Sequence, residues 1–132
     1  MPHYVINRAR ALFELQDISG ARDEVTAAQK LLSATGQRWA EAEIHRVDGD
    51  VCLAEGNPEI GVACYQDAIK VAREQQARSL ELRATVSLAR HWANRGERHN
   101  ARDLLAPIYG RFTEGFDTLD LKEAKALLDE LA

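Results

Sequence analysis

The chain contains few cysteines and aromatic residues, and it has no long hydrophobic run. Its two cysteines, among 132 residues, are too few for a disulfide framework or a cysteine-rich zinc site. No stretch approaches the roughly 18 consecutive apolar residues of a membrane-spanning helix, so we expect no contact with the membrane interior. The first residues lack a basic stretch followed by an apolar one, which argues against a signal peptide, and we expect a cytoplasmic protein.

An excess of positive charge is also missing. The 17 Lys and Arg residues are outnumbered by 21 Asp and Glu residues, which gives a net charge of −4. Proteins that bind nucleic acids usually carry a basic excess, so we expect no nucleic-acid partner. Aromatic residues make up 6% of the chain and apolar residues 45%. Together with abundant alanine, this composition favours closely packed helices over a β-sandwich.

Apolar residues recur with a helical period along the whole chain. The spacing predicts seven helices, over about residues 3–15, 19–34, 38–55, 58–76, 79–95, 98–112 and 120–131. Ser79 is expected to cap the fifth helix, and Asp120 with Glu123 is expected to form a capping box at the last one. Pro107 lies inside the sixth predicted helix, where the missing backbone donor should kink or open it.

The most informative pattern is a repeat with a period of about 40 residues. Three turns align at 16–18, 56–58 and 96–98, and small or larger apolar residues fall in register around them. The aligned columns are Ala9/Gly49/Ala89, Leu12/Cys52/Trp92, Ala21/Gly61/Ala101, Val25/Tyr65/Leu105 and Ala28/Ala68/Ile108. A period of this length indicates stacked supersecondary units, each of which buries its apolar face against the next.

We therefore predict an all-α, right-handed α-solenoid that occupies a single domain over residues 1–132. Three helix pairs cover about residues 2–38, 39–78 and 79–112, and a C-terminal helix at about 120–131 caps the exposed end.

The second unit resembles a tetratricopeptide repeat (TPR). Gly56 and Asn57 stand at the turn, and Gly61, Tyr65 and Ala68 follow at the small, aromatic and alanine positions of that family. The third unit is similar through Ala89, Trp92, Gly96, Ala101 and Leu105, and the first through Ala9, Leu12, Ala21 and Ala28. The standard repeat has about 34 residues, and a longer period is nearer the armadillo and HEAT range, so HEAT-like pairs stay open as an alternative.

A second resemblance covers the chain from about residue 16 to its end. The segments that carry it are 38–46, 77–84, 101–110 and 112–124. They are similar to the C-terminal helical-repeat tail of large bacterial signalling proteins, which are predicted ATPases with a cyclase or a DNA-binding regulator domain at the N-terminus. In those proteins the catalytic and nucleotide-binding parts lie upstream, so the resemblance implies no catalytic residue in this chain.

Motifs that carry chemistry are missing. The glycines do not form a phosphate-binding loop, and no nucleophile motif is present. His91 and His99 lack the spacing of metal ligands, so we expect no metal, no cofactor and no enzymatic activity. Cys52 and Cys64 fall on facing helices of one pair and are expected to be neighbouring buried thiols. Three carboxylates on the third predicted helix are expected to be solvated: Asp48, Asp50 and Glu55.

The candidate binding surface is the concave groove lined by the first helix of each pair. By the repeat phase, this groove carries His3, Asn7, Arg10, Glu43, Arg46, Asp50, Arg83, Ser87 and Arg90. Because guanidinium groups bind carboxylates with two hydrogen bonds, one hypothesis is that Arg46, Arg83 and Arg90 bind an acidic or C-terminal peptide segment. The other is a solvated face in which Glu43 and Asp50 are internal partners of the arginines.

These patterns predict a non-enzymatic protein-interaction module, which binds a protein or peptide in the groove or packs against other domains of a larger signalling regulator. Two alternatives stay open. The chain can be a structural element for self-association, or the effector-sensing tail of a cyclase or ATPase regulator.

Overall fold

The computed structural model describes residues 18–35, 40–113 and 118–131, and none of these residues lies in a strand. The helices are α1 (Ile18–Thr35), α2 (Glu41–Ala54), α3 (Pro58–Glu74), α4 (Arg78–Asn94), α5 (Arg98–Tyr109) and α6 (Leu119–Leu131). The all-α prediction is therefore confirmed for this part of the chain. The first predicted helix, at about residues 3–15, lies outside the described residues.

The helices pack mainly in the order in which they occur in the chain. Each helix contacts the next one, and in addition α2 contacts α4 and α4 contacts α6. Buried apolar side chains form one cluster between α1 and α2, a second between α3 and α4, and a third among α4, α5 and α6. Helix α4 therefore contributes to two of the three clusters and also meets α2 and α6. None of the described helices is both long and apolar enough to span a membrane.

The repeat columns coincide with buried positions. Every residue of the three columns downstream of the turns is buried: Ala21/Gly61/Ala101, Val25/Tyr65/Leu105 and Ala28/Ala68/Ile108. In the upstream columns Gly49, Ala89 and Cys52 are buried and Trp92 is half-buried, whereas Ala9 and Leu12 lie outside the described residues. The period of the sequence thus marks the positions that face neighbouring helices.

Small residues are required where α2 meets α3. A Cβ atom on Gly49 would lie 2.6 Å from Cε1 of Tyr65 and 3.0 Å from the carbonyl oxygen of Gly61. A Cβ atom on Gly61 would lie 2.9 Å from Cδ2 of Leu53 and 3.1 Å from the carbonyl oxygen of Gly49. Neither position has room for a side chain, because the two backbones approach each other directly at this pair of glycines.

The turns that end α2, α3 and α4 share one backbone geometry. Gly56, Gln76 and Gly96 have positive φ angles of 86°, 55° and 83°. In each turn the next residue donates its N–H to a carbonyl five positions earlier: Asn57 to Cys52, Ala77 to Ala72 and Glu97 to Trp92. This is the hydrogen-bond pattern of a Schellman motif, in which glycine is the favoured residue at the positive φ. The turns at Gly56 and Gly96 were predicted, whereas Gln76 carries no turn signal.

Two predicted caps are wrong. Helix α4 begins at Arg78 after Ala77, which makes no side-chain cap, so Ser79 lies inside the first turn. At α6 the carbonyl of Thr118 accepts the N–H of Lys122 at 3.0 Å, so the helix begins before Asp120, which cannot cap it. The position of a cap depends on where the chain leaves the preceding turn, and a serine or aspartate one or two residues further on cannot replace it.

Helix α5 ends earlier than predicted, at Tyr109 rather than at about residue 112. Pro107 lies in its last turn. Proline has no N–H to donate to the carbonyl four residues earlier, here that of Asp103, and its ring crowds that carbonyl, so it disfavours continuation of the helix.

We expect Gln76→Gly to stabilise the protein by about 1 kcal/mol, because glycine adopts a positive φ without the steric cost that glutamine carries. Urea unfolding followed by circular dichroism measures the change. Gln75→Gly is the matched control: Gln75 has a φ of −87°, so glycine there relieves nothing and should lower stability. Equal effects of the two substitutions would contradict the turn geometry.

We expect Gly49→Ala to destabilise the protein by about 1–2 kcal/mol, although alanine is the better helix former, because the new methyl group overlaps the buried Tyr65 ring. The same substitution in a Tyr65→Leu background should cost less, since the ring is gone. Free energies of unfolding for the four proteins form a double-mutant cycle. A Gly49→Ala protein as stable as the parent would show that α2 and α3 are not in direct backbone contact.

Candidate functional site

An open cavity of about 470 Å³ is lined by residues of α2, α4 and the start of α6. We call it the arginine pocket, and its lining residues are Arg46, Arg83, Val86, Ser87, Arg90, Thr118, Leu119, Asp120 and Glu123. Four of the residues predicted for the groove therefore lie together: Arg46, Arg83, Ser87 and Arg90. Guanidinium groups, carboxylates and hydroxyls line the pocket, together with the apolar side chains of Val86 and Leu119.

Arg46 is already engaged by carboxylates of its own helix. Its Nε and Nη2 atoms lie 2.8 and 3.2 Å from the two carboxylate oxygens of Glu43, and Nη1 lies 3.4 Å from Oδ2 of Asp50. Only 9% of Arg46 is exposed. Burial by itself lowers the pKa of Arg46, but the bond to Glu43 and the charge of Asp50 outweigh it, so the pKa is raised. For Arg46 the structure corresponds to the internally paired alternative.

Arg83 connects three helices. Its Nε atom lies 3.0 Å from each carboxylate oxygen of Asp120 on α6, and its Nη1 atom lies 3.4 Å from Oε2 of Glu43 on α2. The side chain is still 37% exposed. Asp120, which the sequence assigned to a capping box, is therefore the acidic partner of a pocket arginine, and no local sequence signal indicates this role.

Arg90 differs from the other two pocket arginines. It is exposed, and among the residues that the structure describes it has no carboxylate within ion-pair distance. Ser87 lies one turn before it on α4, and Val86 and Leu119 supply apolar surface, with Leu119 69% exposed. The pocket therefore combines two arginines that carboxylates hold in place, one exposed arginine without a carboxylate partner among the described residues, and the apolar side chains of Val86 and Leu119.

Of the other residues predicted for the groove, two are bonded to arginines of the pocket and three lie outside the described residues. Glu43 and Asp50 are internal partners of arginines, and Asp50 also accepts a hydrogen bond from the Tyr65 hydroxyl. His3, Asn7 and Arg10 lie outside the described residues.

A second polar cluster lies at the junction of α1, α2 and α3, and it was not predicted. Arg22 on α1 donates from Nη1 to Oδ1 of Asp48 at 2.5 Å, from Nη2 to Sγ of Cys52 at 3.1 Å, and from Nη2 to Oε1 of Glu55 at 2.9 Å. Asp48 is only 9% exposed, so the prediction that it is solvated is wrong. The hydrogen bonds to Glu55 and Asp48 outweigh desolvation and raise the pKa of Arg22, which stays charged.

Two thiols complete this cluster. A carboxylate oxygen of Asp48 and the Sγ atoms of Cys52 and Cys64 all lie within 4.8 Å of one another, which confirms that the cysteines are neighbours. Cys52 is buried as expected, whereas Cys64 is only half-buried. Burial raises the pKa of Cys52, and it raises the pKa of Cys64 to about 12. Both groups are therefore protonated thiols at neutral pH, and neither has the character of a reactive nucleophile.

His91 and His99 lie in different environments. His91 Nε2 is buried without a hydrogen-bond partner among the described residues, and burial, with Arg95 nearby, lowers the pKa of His91. His99 is exposed and lies 3.1 Å from Asp103 one turn later. Neither belongs to a group of three potential metal ligands in the described part of the chain.

No known protein family matches this chain, and no curated protein or solved structure matches it.

The contacts of Arg46 and Arg90 predict that their substitutions change stability by different amounts. Arg46→Met should destabilise the protein by about 1–3 kcal/mol, because it leaves partly buried carboxylates with fewer partners, whereas Arg90→Met should change it by less than about 0.5 kcal/mol. Both substitutions remove one positive charge, so they are matched. Thermal and urea unfolding compare them, and a large loss in Arg90→Met would show a structural contact of Arg90 that the described residues do not contain.

Proposed function

We propose that this chain is a TPR-like α-solenoid that binds an acidic protein segment in the arginine pocket, as a non-enzymatic interaction module of a larger signalling regulator. The observation that carries the proposal is Arg90, an exposed guanidinium that has no carboxylate partner among the described residues, in a pocket whose other arginines are held in place. An arginine of this kind presents a hydrogen-bonding edge that a carboxylate fits with two bonds.

The architecture supports this proposal through the repeat. The three columns downstream of the turns are buried, and the glycine pair Gly49 and Gly61 occupies the small-residue positions at which paired TPR helices approach each other. The contacts of α2 with α4 and of α4 with α6 are those expected when first helices of successive units stack and a final helix covers the end. On this arrangement Arg46, Arg83 and Arg90 lie on the inner surface of the stack.

The bound segment would meet a site that is largely ordered in advance. Glu43 fixes Arg46, and Asp120 and Glu43 fix Arg83, so little side-chain freedom is lost there on binding. Arg90 and Ser87 would contact a carboxylate of the ligand, and Leu119 and Val86 would contact an apolar side chain next to it. Because the protein as a whole is acidic, only the arginines of the pocket attract an acidic segment. Added salt screens this attraction, so we expect binding to weaken as the salt concentration rises.

A fluorescence titration tests this function. The probe is a labelled peptide that ends in a run of glutamates and a free carboxylate, and the comparison peptide carries glutamines instead. We expect the acidic peptide to bind, and Arg90→Glu to weaken it by at least about tenfold, since the substitution replaces an attractive charge by a repulsive one.

Arg102→Glu is the control, because Arg102 is exposed on α5, outside the pocket lining, and the change in net charge is the same. Equal loss in both variants, or equal affinity for the glutamine peptide, would refute a defined acid-binding pocket. Sedimentation equilibrium of the free protein measures self-association, and a concentration-dependent mass abolished by Arg90→Glu would instead assign the pocket to an interface between copies.

A further inference from the structure

We propose that Asp48, Cys52 and Cys64 form a binding site for a thiophilic divalent metal ion of the Zn²⁺ or Cd²⁺ class, in which the ion takes the position that the Arg22 guanidinium occupies. The site shares no residue with the arginine pocket, and it does not depend on the function proposed for that pocket.

The distances between the three donor groups fit such an ion. In a tetrahedral zinc site with bonds of about 2.3 Å to sulfur and about 2.1 Å to oxygen, a sulfur and an oxygen ligand lie about 3.6 Å apart. Sγ of Cys52 and Oδ1 of Asp48 are 3.6 Å apart. All three donor atoms lie within 4.8 Å of one another, so two sulfur ligands reach their tetrahedral separation of about 3.8 Å with a shift of at most about 1 Å.

The backbone holds these groups in place. Asp48 and Cys52 are one turn apart on α2 and therefore lie on the same face of the helix. Cys64 faces them from α3, next to the contact between Gly49 and Gly61 that sets the distance between the two helices. Asp48 is also oriented by its second oxygen, which accepts a hydrogen bond from Nε2 of Gln29 at 3.1 Å. Supporting hydrogen bonds of this kind are typical of metal-binding carboxylates.

The chemistry of the donors selects the class of ion. Two sulfur ligands and one carboxylate favour zinc, cadmium and similar soft ions over magnesium or calcium, which prefer oxygen. Each thiol gives up its proton to the solvent when it binds the ion, and the fourth coordination position remains for water or a ligand. Since the cysteines come from different helices, their spacing matches no metal-binding motif, which is why the sequence predicted no metal site.

Arg22 already places a positive charge at this site. It bonds to Asp48 and Cys52, two of the three proposed ligands, but it also bonds to Glu55, with Nη2 2.9 Å from Oε1 and Nε 3.4 Å from Oε2. The bonds to Glu55 can hold the guanidinium when an ion displaces it from the other two groups. Arg22 therefore competes with the metal, and its removal should strengthen metal binding.

Titration of the full chain with Cd²⁺, in a buffer with a phosphine reductant that keeps both thiols reduced, tests the site. The ultraviolet absorption of cadmium–thiolate bonds reports binding directly, and isothermal titration calorimetry gives the stoichiometry and affinity. We expect one ion per chain, and a loss of affinity of at least about a hundredfold in Cys52→Ser and in Cys64→Ser. Mg²⁺ should produce neither signal.

Arg22→Gln should have the opposite effect on the affinity for Cd²⁺. Because the substitution removes the competing cation, we expect it to increase this affinity by about tenfold. Circular dichroism of the metal-free variants establishes whether each one is folded. If Cys52→Ser or Arg22→Gln does not fold, the affinity of Cys64→Ser for Cd²⁺ tests the proposal, because Cys64 is the less buried cysteine. Binding that survives both serine substitutions, weaker binding in folded Arg22→Gln, or no thiolate absorption in the parent protein would each overturn the proposal.

Discussion

The direct contact between Gly49 of α2 and Gly61 of α3 controls the positions of the groups on both sides of it. It lets the Tyr65 ring lie across Gly49, and the Tyr65 hydroxyl then bonds to Asp50, which in turn holds Arg46 at the arginine pocket. The same close approach brings Cys64 next to Cys52 and Asp48. A side chain at either glycine would separate the helices and move both sets of groups, because packed interiors cannot absorb an added methyl group without a shift.

The distribution of carboxylates decides which arginines are available. In a chain with more acidic than basic residues, arginines that are buried or half-buried find partners: the half-buried Arg22 bonds to Asp48 and Glu55, and the buried Arg46 bonds to Glu43 and Asp50. These pairs hold helices and side chains in register, since breaking one would leave a charge without compensation in a poorly solvated place. Arg90 lies at the surface, where no such requirement applies, and it has no carboxylate partner among the residues that the structure describes.

Local sequence signals differ in how well they predict this structure. Helix positions followed from the period of apolar residues, because burial of one stripe depends only on residues three or four apart. Gly56 and Gly96 marked two turns for a similar reason, since a positive φ is most favourable for glycine. Gln76 adopts the same conformation without that signal, and Ser79 and Asp120 resemble caps without being caps. In these cases the packing of whole helices outweighs a local preference of about 1 kcal/mol.

The sequence by itself determined the helices and the positions that are buried, because both repeat with regular periods that any helical packing must satisfy. It also brought Arg46, Arg83, Ser87 and Arg90 onto one candidate surface through the phase of the repeat. Only the tertiary structure decided which of these arginines are paired and which thiols and carboxylates meet. Arg83 binds a carboxylate 37 residues away, and Arg22 binds one 26 residues away. Such pairs depend on distances through space between helices, and no period in the sequence encodes them.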